Sequence, residues 1–293
     1  MHADTAYTTL ISAIKLAPHL HDPDWIVLDC RHDLANPDAG RAAWAASHLA
    51  GAQFAHLDRD LSDLTPAADA KFRGRHPLPP RAALLETLRG WGINDDSQVV
   101  AYDAHGGMFA ARLWWLLHWL GHARVAVLDG GLAAWEQTGL TLTPAAPAPR
   151  PRGTLQERPA LTATVDADEV LANLAAAPER RRTVLDARAP DRFRGENETL
   201  DAVGGHIPGA RNRFFKDNLE AGGRFKPAAQ LRAELAPLLA EPARAIMQCG
   251  SGVTACHNLL ALEIAGLPGA ALYPGSWSEW CADPARPVAR GQD

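Results

Sequence analysis

The chain has 293 residues, 47% of them apolar and 22% charged, and carries a net charge of −5. Such a composition is that of a soluble globular protein with chain enough for one large or two ordinary domains. The acidic balance, with no Lys/Arg block, excludes a surface built to neutralise nucleic-acid phosphates. The cysteines, Cys30, Cys249, Cys256 and Cys281, form no CxxC pair, which leaves a zinc ribbon and a thioredoxin-type dithiol without support.

In chain order, the first twenty residues lack a basic segment followed by a long apolar run, so no signal peptide is read. An apolar run of strand length covers 25–28, and "RAALLETLRGW" (81–91) has helical period. A second strand, 98–102, runs into Asp103. "LWWLLHWLG" (113–121) is too short to cross a bilayer, and its tryptophans sit at helical spacing as core residues. A third strand is expected at 125–128. The stretch "TPAAPAPRPRGTLQERPALTA" (143–163) breaks the pattern: its prolines lack donors and its charges resist burial, so it reads as a linker. Beyond it come strands at 183–186, 244–248 and 270–273 and a helical segment at 228–240. Few cysteines in a long chain suit a reducing compartment, so a cytoplasmic protein with no membrane or nucleic-acid partner is expected.

The two halves match block by block. "WIVLDCRHD" (25–33) pairs with "TVLDARAPD" (183–191), and "HLAGAQF" (48–54) with "HIPGARN" (206–212). "QVVAYDAHGGMFAARL" (98–113) pairs with "AIMQCGSGVTACHNLL" (245–260), and "VLDGGLAAW" (127–135) with "LYPGSWSEW" (272–280). Order and spacing are kept, which predicts a duplicated domain: residues 1–142, a linker 143–163, and residues 164–293. Strands alternating with helices predict, in each half, a mostly parallel sheet with helices on both faces, an α/β class. Ligands in such sheets sit beyond the carboxyl ends of strands, where Cys249 and "DARAPDRFRG" (186–195) fall.

Cys249 opens the loop Gly250, Ser251, Gly252, Val253, Thr254, with helical pattern resuming near Ala255. Two missing Cβ atoms let backbone N–H groups converge, and the next helix adds its positive end. That concavity suits a sulfur anion, although a buried structural thiol is the ordinary state of a free cysteine. Thiolate phosphatase chemistry needs an arginine about six residues on to hold the phosphoryl oxygens; that place is Ala255. Sulfur transfer needs only backbone donors and a hydroxyl, which Ser251 and Thr254 supply.

Together, "CGSGVTAC" (249–256), "GHIPGA" (205–210), "VLDAR" (184–188) with "RFRG" (192–195), and "YPGSWSEW" (273–280) resemble the tandem rhodanese family of thiosulfate and 3-mercaptopyruvate sulfurtransferases. The resemblance implies two rhodanese-like domains, with Asp103 standing at the cysteine position of the first. It implies a Cys249 persulfide in a cleft between the domains, no metal or organic cofactor, and cyanide, a small thiol or a thioredoxin-like protein as acceptor. Gly250 and Ser251 match the mercaptopyruvate-using members, because thiosulfate users carry two basic residues there; thiosulfate, or a persulfide carrier with little turnover, is the alternative. The expected donor site is Arg192 with the loop residues Gly250, Ser251, Gly252, Val253 and Thr254. The further arginine usual before "GHIPG" is missing from "ENETLDAVGGH" (196–206). Arg188, matched by Arg31, is expected to pair with a carboxylate, and Arg194 to be solvated. His48 and His206 are expected to be structural. His76, with Asp60 or Asp63 upstream, resembles first-domain residues proposed to help polarise the family's site, but a structural turn role is expected for them here; Trp277 and Trp280 are expected to wall the cleft.

Overall fold

The computed structural model describes residues 6–66 and 71–291. It divides into two compact units, and the division does not follow the chain's midpoint. The first unit holds the chain up to Ser62, Pro79–Leu161 and Glu220–Phe225; the second holds Asp63–Leu78, Thr162–Leu219 and the chain from Lys226.

The first unit is built on strands β1 (Leu10–Ile11), β2 (Trp25–Asp29), β3 (Gln53–Phe54), β4 (Gln98–Tyr102) and β5 (Val125–Leu128). The second is built on β6 (Ala163–Thr164), β7 (Val184–Asp186), β8 (Arg211–Asn212), β9 (Ile246–Gln248) and β10 (Ala271–Leu272). Strand orders are β1-β5-β4-β2-β3 and β6-β10-β9-β7-β8, the same topology twice, and every pairing is parallel. All five residues of β2 and of β4 are buried. Continuous apolar runs of this kind are what a parallel sheet covered on both faces requires. Alternate residues Trp25, Val27, Val100 and Tyr102 pack with Leu16 and Trp135 in one core cluster. Trp277 and Trp280 are wholly buried in the equivalent cluster of the second unit, so both are core residues rather than walls of an open site.

Several elements are shorter than their sequence pattern, two of them by two residues or more at one end. The strand expected at 244–248 starts at Ile246 because Pro242–Arg244 form a 3-10 turn. The helix expected over 228–240 stops at Leu235, where Pro237 lacks the N–H to continue it and Ala236–Leu238 tighten to 3-10. Residues 144–161 hold no regular element but lie docked on the first unit. Arg150 donates to the carbonyls of Pro23 and Trp25 at 2.8 and 3.0 Å, Arg158 pairs with Asp95 at 2.9 Å, and Leu155 is buried. Gly153 is required there: a Cβ would lie 2.1 Å from the Ile93 carbonyl oxygen. Among the described residues no helix is long and apolar enough to cross a membrane.

One core position is costly. Tyr102 donates to Asp29 at 2.7 Å, whereas its counterpart Gln248 is buried with neither amide atom hydrogen-bonded among the described residues. An unsatisfied buried amide costs roughly 1–3 kcal/mol, so Gln248→Met should raise stability by a similar amount. An unchanged or lowered urea midpoint would show that the amide is satisfied in solution.

Candidate active site

At the carboxyl end of each sheet a central strand turns into a helix, with a different residue at the head of the turn. In the register, Asp29 opposes Tyr102 and Asp186 opposes Gln248, so Asp103 and Cys249 occupy equivalent places. Asp103 fills its own turn. One carboxylate oxygen accepts the amides of His105 (2.8 Å) and Gly107 (2.9 Å), the other those of Phe109 (2.7 Å) and Ala110 (2.9 Å). Four amides converging on one carboxylate define an anion cradle at a helix N-terminus. In the second unit the head of the turn is Cys249, and the turn is shorter: the helix begins at Thr254, against Ala110 in the first unit.

Several contacts fix this turn. The Cys249 amide donates to Ser276 Oγ at 3.1 Å, and that hydroxyl donates to the Tyr273 carbonyl at 2.9 Å. The Cys249 carbonyl accepts the Trp277 amide, and the Gly250 carbonyl the Ser278 amide, both at 2.9 Å. Ser276 is the only non-glycine among the described residues with a positive φ, +54°, a strained conformation of the kind that clusters at functional sites. Gly252 sits at φ +76°, and a Cβ there would meet the Pro274 carbonyl oxygen at 2.3 Å. Cys249 is 2% exposed, Ser251 7% and Thr254 9%, so the turn is shielded from bulk water. Cys256 is packed inside, its thiol directed at the Gly252 carbonyl.

Beside the cysteine stands a buried ion pair. Arg188 Nη2 lies 2.6 Å from Asp186 Oδ2 and also donates to the Gly205 carbonyl, with the guanidinium 4.6 Å from the Trp277 ring centroid. Burial alone would lower its pKa; Asp186, then Glu198 and the Cys249 sulfur, raise it above the ordinary arginine value. The first unit repeats the pair, with Arg31 Nη2 at 2.6 Å from Asp29 and donating to the Ser47 carbonyl. The histidines repeat too. His48 Nδ1 bonds the Trp44 carbonyl and His206 Nδ1 the Phe193 carbonyl, each residue closing an antiparallel bridge. Repetition in a unit without the cysteine assigns both sets to the scaffold. Arg194 is held by Glu196 at the surface.

The polar face of the turn is formed by residues far apart in sequence. His76 Nδ1 is hydrogen-bonded to Ser251 Oγ at 2.7 Å, and both residues are buried. A Cβ on Gly250 would lie 2.8 Å from Arg75 Nη2 and 3.6 Å from Arg192 Nη2, so two guanidinium groups converge over the loop. Arg192 is bonded by Glu198 (2.8 Å) and Asp201 (3.3 Å), and Arg75 pairs with the same Asp201. Burial, then the neighbouring Glu198, pushes the Asp201 carboxyl up despite both arginines. Burial would also raise Glu198, but hydrogen bonds from Arg192 and two backbone amides hold it below the usual range. Arg75 has no signal in the sequence pattern, and His76 had only its resemblance. Both reach the site because Asp63–Leu78 packs in the second unit, backbone against backbone at Gly74, where a Cβ would be 2.6 Å from the Gly275 carbonyl oxygen. Asp63 is engaged by Arg73 at 3.0 Å, and Asp60 accepts the His56 amide.

Among the described residues one set brings donor atoms within 4.8 Å of each other as a cation would require: His32, His56 and Asp58, in the first unit. The Asp58 amide donates to His56 Nδ1 at 3.1 Å, which leaves the ring proton on Nε2 and no lone pair there for a metal.

Two parallel sheets of the same topology, one with a cysteine and one with an amide-bound aspartate at the head of the turn into a helix, define a duplicated thiol-loop α/β protein. Residues 12–138 and 166–283 each match the Rhodanese-like domain, and the chain belongs to the rhodanese family. It is 50% identical to a probable 3-mercaptopyruvate sulfurtransferase of Pseudomonas aeruginosa over 96% of this chain and 98% of that one. It is 42% identical to a putative thiosulfate sulfurtransferase of Mycobacterium tuberculosis over 96% and 97%. The solved structure of 3-mercaptopyruvate sulfurtransferase from Leishmania major superposes with a TM-score of 0.81 at 31% identity, covering 94% of this chain and 74% of that one.

Proposed function

We propose that the protein is a sulfurtransferase that moves sulfur from 3-mercaptopyruvate to a thiophilic acceptor through a persulfide on Cys249. The observation that carries this reading is the equivalence of the two turn heads: where the first unit holds the Asp103 carboxylate on backbone amides, the second places the Cys249 thiol, with Ser251 hydrogen-bonded to His76 in its loop. The Cys249 thiolate attacks the donor sulfur; an S–S bond forms and the donor C–S bond breaks, its electron pair leaving on pyruvate enolate. The donor thiol proton passes to the enolate carbon, with Ser251 and His76 as the relay, which gives pyruvate and a Cys–S–S⁻ that the loop amides stabilise. Cyanide, a small thiol or a thioredoxin-like dithiol then takes the outer sulfur as thiocyanate or a persulfide and regenerates the thiolate. Four free cysteines are in keeping with a reducing, cytoplasmic setting.

Incubation with 3-mercaptopyruvate and cyanide should yield thiocyanate. The ratio of kcat/KM for that donor to that for thiosulfate should exceed unity, because the loop carries Gly250 and Ser251 in place of two cations. A ratio below unity would give the donor role to thiosulfate, and a stable persulfide without turnover would make the protein a carrier. Loss of a positioned proton relay costs about 10²–10⁴ in rate, so Ser251→Ala and His76→Asn should each lower kcat on mercaptopyruvate by at least about 10²-fold. The double variant should fall little further, since the two act as one unit. Additive losses in a double-mutant comparison would separate them.

A further inference from the structure

We propose that Glu279 is a positioning residue for Cys249: its carboxyl, lodged against the backbone of Gly275, holds in place the turn that grips the cysteine. The inference deepens the function above, since it rests on Cys249 being the nucleophile.

The turn into the helix Ser276–Trp280 recurs in the first unit ahead of the helix Gly131–Gln137. Gly131 has a φ of +56° and Ser276 one of +54°. The next amide in each, Leu132 or Trp277, donates at 2.9 Å to the carbonyl of Asp103 or of Cys249. Position by position, Leu128, Gly131, Ala133 and Ala134 stand where the second unit has Tyr273, Ser276, Ser278 and Glu279. The fold therefore needs no polar group at these places, and all four occur only in the unit that bears the thiol. Ser276 holds the Cys249 amide, and Ser278 Oγ donates to the Gly275 carbonyl at 3.2 Å.

Glu279 completes the set. A Cβ on Gly275 would lie 1.7 Å from Glu279 Oε2 and 2.5 Å from its Cδ, so the carboxyl stands where a side chain of residue 275 would stand. The Glu279 amide donates to the Gly275 carbonyl at 3.1 Å, and the Gly74 backbone closes on that same oxygen. The peptide that precedes the left-handed Ser276 is thus walled in by Glu279 and Gly74. In the first unit a Cβ on Gly130 would meet Ala134 Cβ at 2.7 Å and Arg224 Cγ at 2.9 Å, so the space must be filled but not by an acid. Burial raises the Glu279 carboxyl above the usual range against the pull of Tyr273 and Arg286, and Asp166 and Asp168 push it further up. Arg286 donates to the Glu279 carbonyl at 2.7 Å. The Tyr273 hydroxyl is buried without a hydrogen-bond partner among the described residues, and burial, then Glu279, raises it. A carboxyl whose neutral form is favoured can lie against a peptide with less desolvation cost than an ion, so its shape, more than its charge, braces the turn.

The test measures alkylation of Cys249 by iodoacetamide in the full-length protein, read by mass spectrometry of its peptide, beside turnover of donor and cyanide. Misplacing a reacting group by 1 Å costs about 10²-fold, and a turn that keeps its other bonds should lose less, roughly 10-fold. Glu279→Ala, the residue of the first unit, should lower both the alkylation rate and kcat by that factor, with KM within about twofold of the parent. Glu279→Gln keeps the shape and should restore both rates to within about twofold. Rates per folded molecule unchanged in Glu279→Ala, with only the urea midpoint lowered, would make the residue a scaffold member and overturn the proposal. A Gln variant as slow as the Ala variant also overturns it. If alkylation slows as stated but no donor is turned over, the positioning role stands and the assigned sulfur transfer falls.

Discussion

Cys249→Ser is expected to abolish sulfur transfer, with kcat/KM falling by roughly 10³-fold or more, the scale seen when the nucleophile of a covalent mechanism is removed. A serine hydroxyl in the same turn is a far weaker nucleophile at neutral pH than a thiolate, and its oxygen has no route to a persulfide. No other thiol stands ready to replace it. Burial, with Asp103, Asp29 and Asp60 nearby, holds Cys30 well above the ordinary thiol range, and burial with Asp201 raises Cys281. Cys256 is packed at 0% exposure. The checks are thiocyanate formation and the mass gain of one sulfur atom after treatment with donor alone. Turnover within tenfold of the parent would move the chemistry to another residue.

Arg188→Met should be strongly destabilising. Asp186 is wholly buried and accepts from the Arg188 backbone amide, Nε and Nη2. Removing one partner of such a pair strands a buried charge, at a cost of about 3–5 kcal/mol. Arg31→Met should cost a similar amount in the first unit, where Asp29 has the same three donors and the Tyr102 hydroxyl as well. The pair of variants separates two roles of Arg188. If its contribution to the site were only structural, activity per folded molecule would be equal in both variants. If its charge also acts on the sulfur, the Arg188 variant alone should lose rate at temperatures where both are folded. Urea midpoints measure the first quantity, and kcat on folded protein the second. A loss below about 1 kcal/mol in both would mean that water compensates the aspartates.

The sheets were legible because their central strands are continuous apolar runs, and buried parallel strands leave that mark. The duplication was legible because Asp29/Asp186, Arg31/Arg188 and His48/His206 recur in order, and each pair performs the same local bonding in its unit. The edge strands were not legible. Two-residue strands such as Leu10–Ile11 or Ala163–Thr164 are too short to show a period. Ser276 was missed because its left-handed backbone is imposed by the Cys249 and Tyr273 groups it binds, while glycine is the residue that would normally announce such a φ. The missing arginine before "GHIPG" looked like a lost anchor. Arg75, which shares Asp201 with Arg192, reaches the loop from a distant stretch of the chain, a placement that leaves no trace in any local window. The Pro/Arg-rich stretch was read from composition as a segment unable to pack. Its arginines instead satisfy carbonyls at the rim of the first unit, which keeps their charges at the surface while the chain lies flat.

The segment Asp63–Leu78 has a consequence for how this gene could be cut or shuffled. A fragment beginning near Thr162 would encode the second sheet and its thiol but would omit the ribbon bearing Arg75 and His76. A fragment ending at Leu161 would lack Glu220–Phe225, whose Phe225 amide donates to Asp129 at 2.8 Å. Each half of the chain therefore carries a splint for the other unit, and neither can be excised at the linker as a complete module.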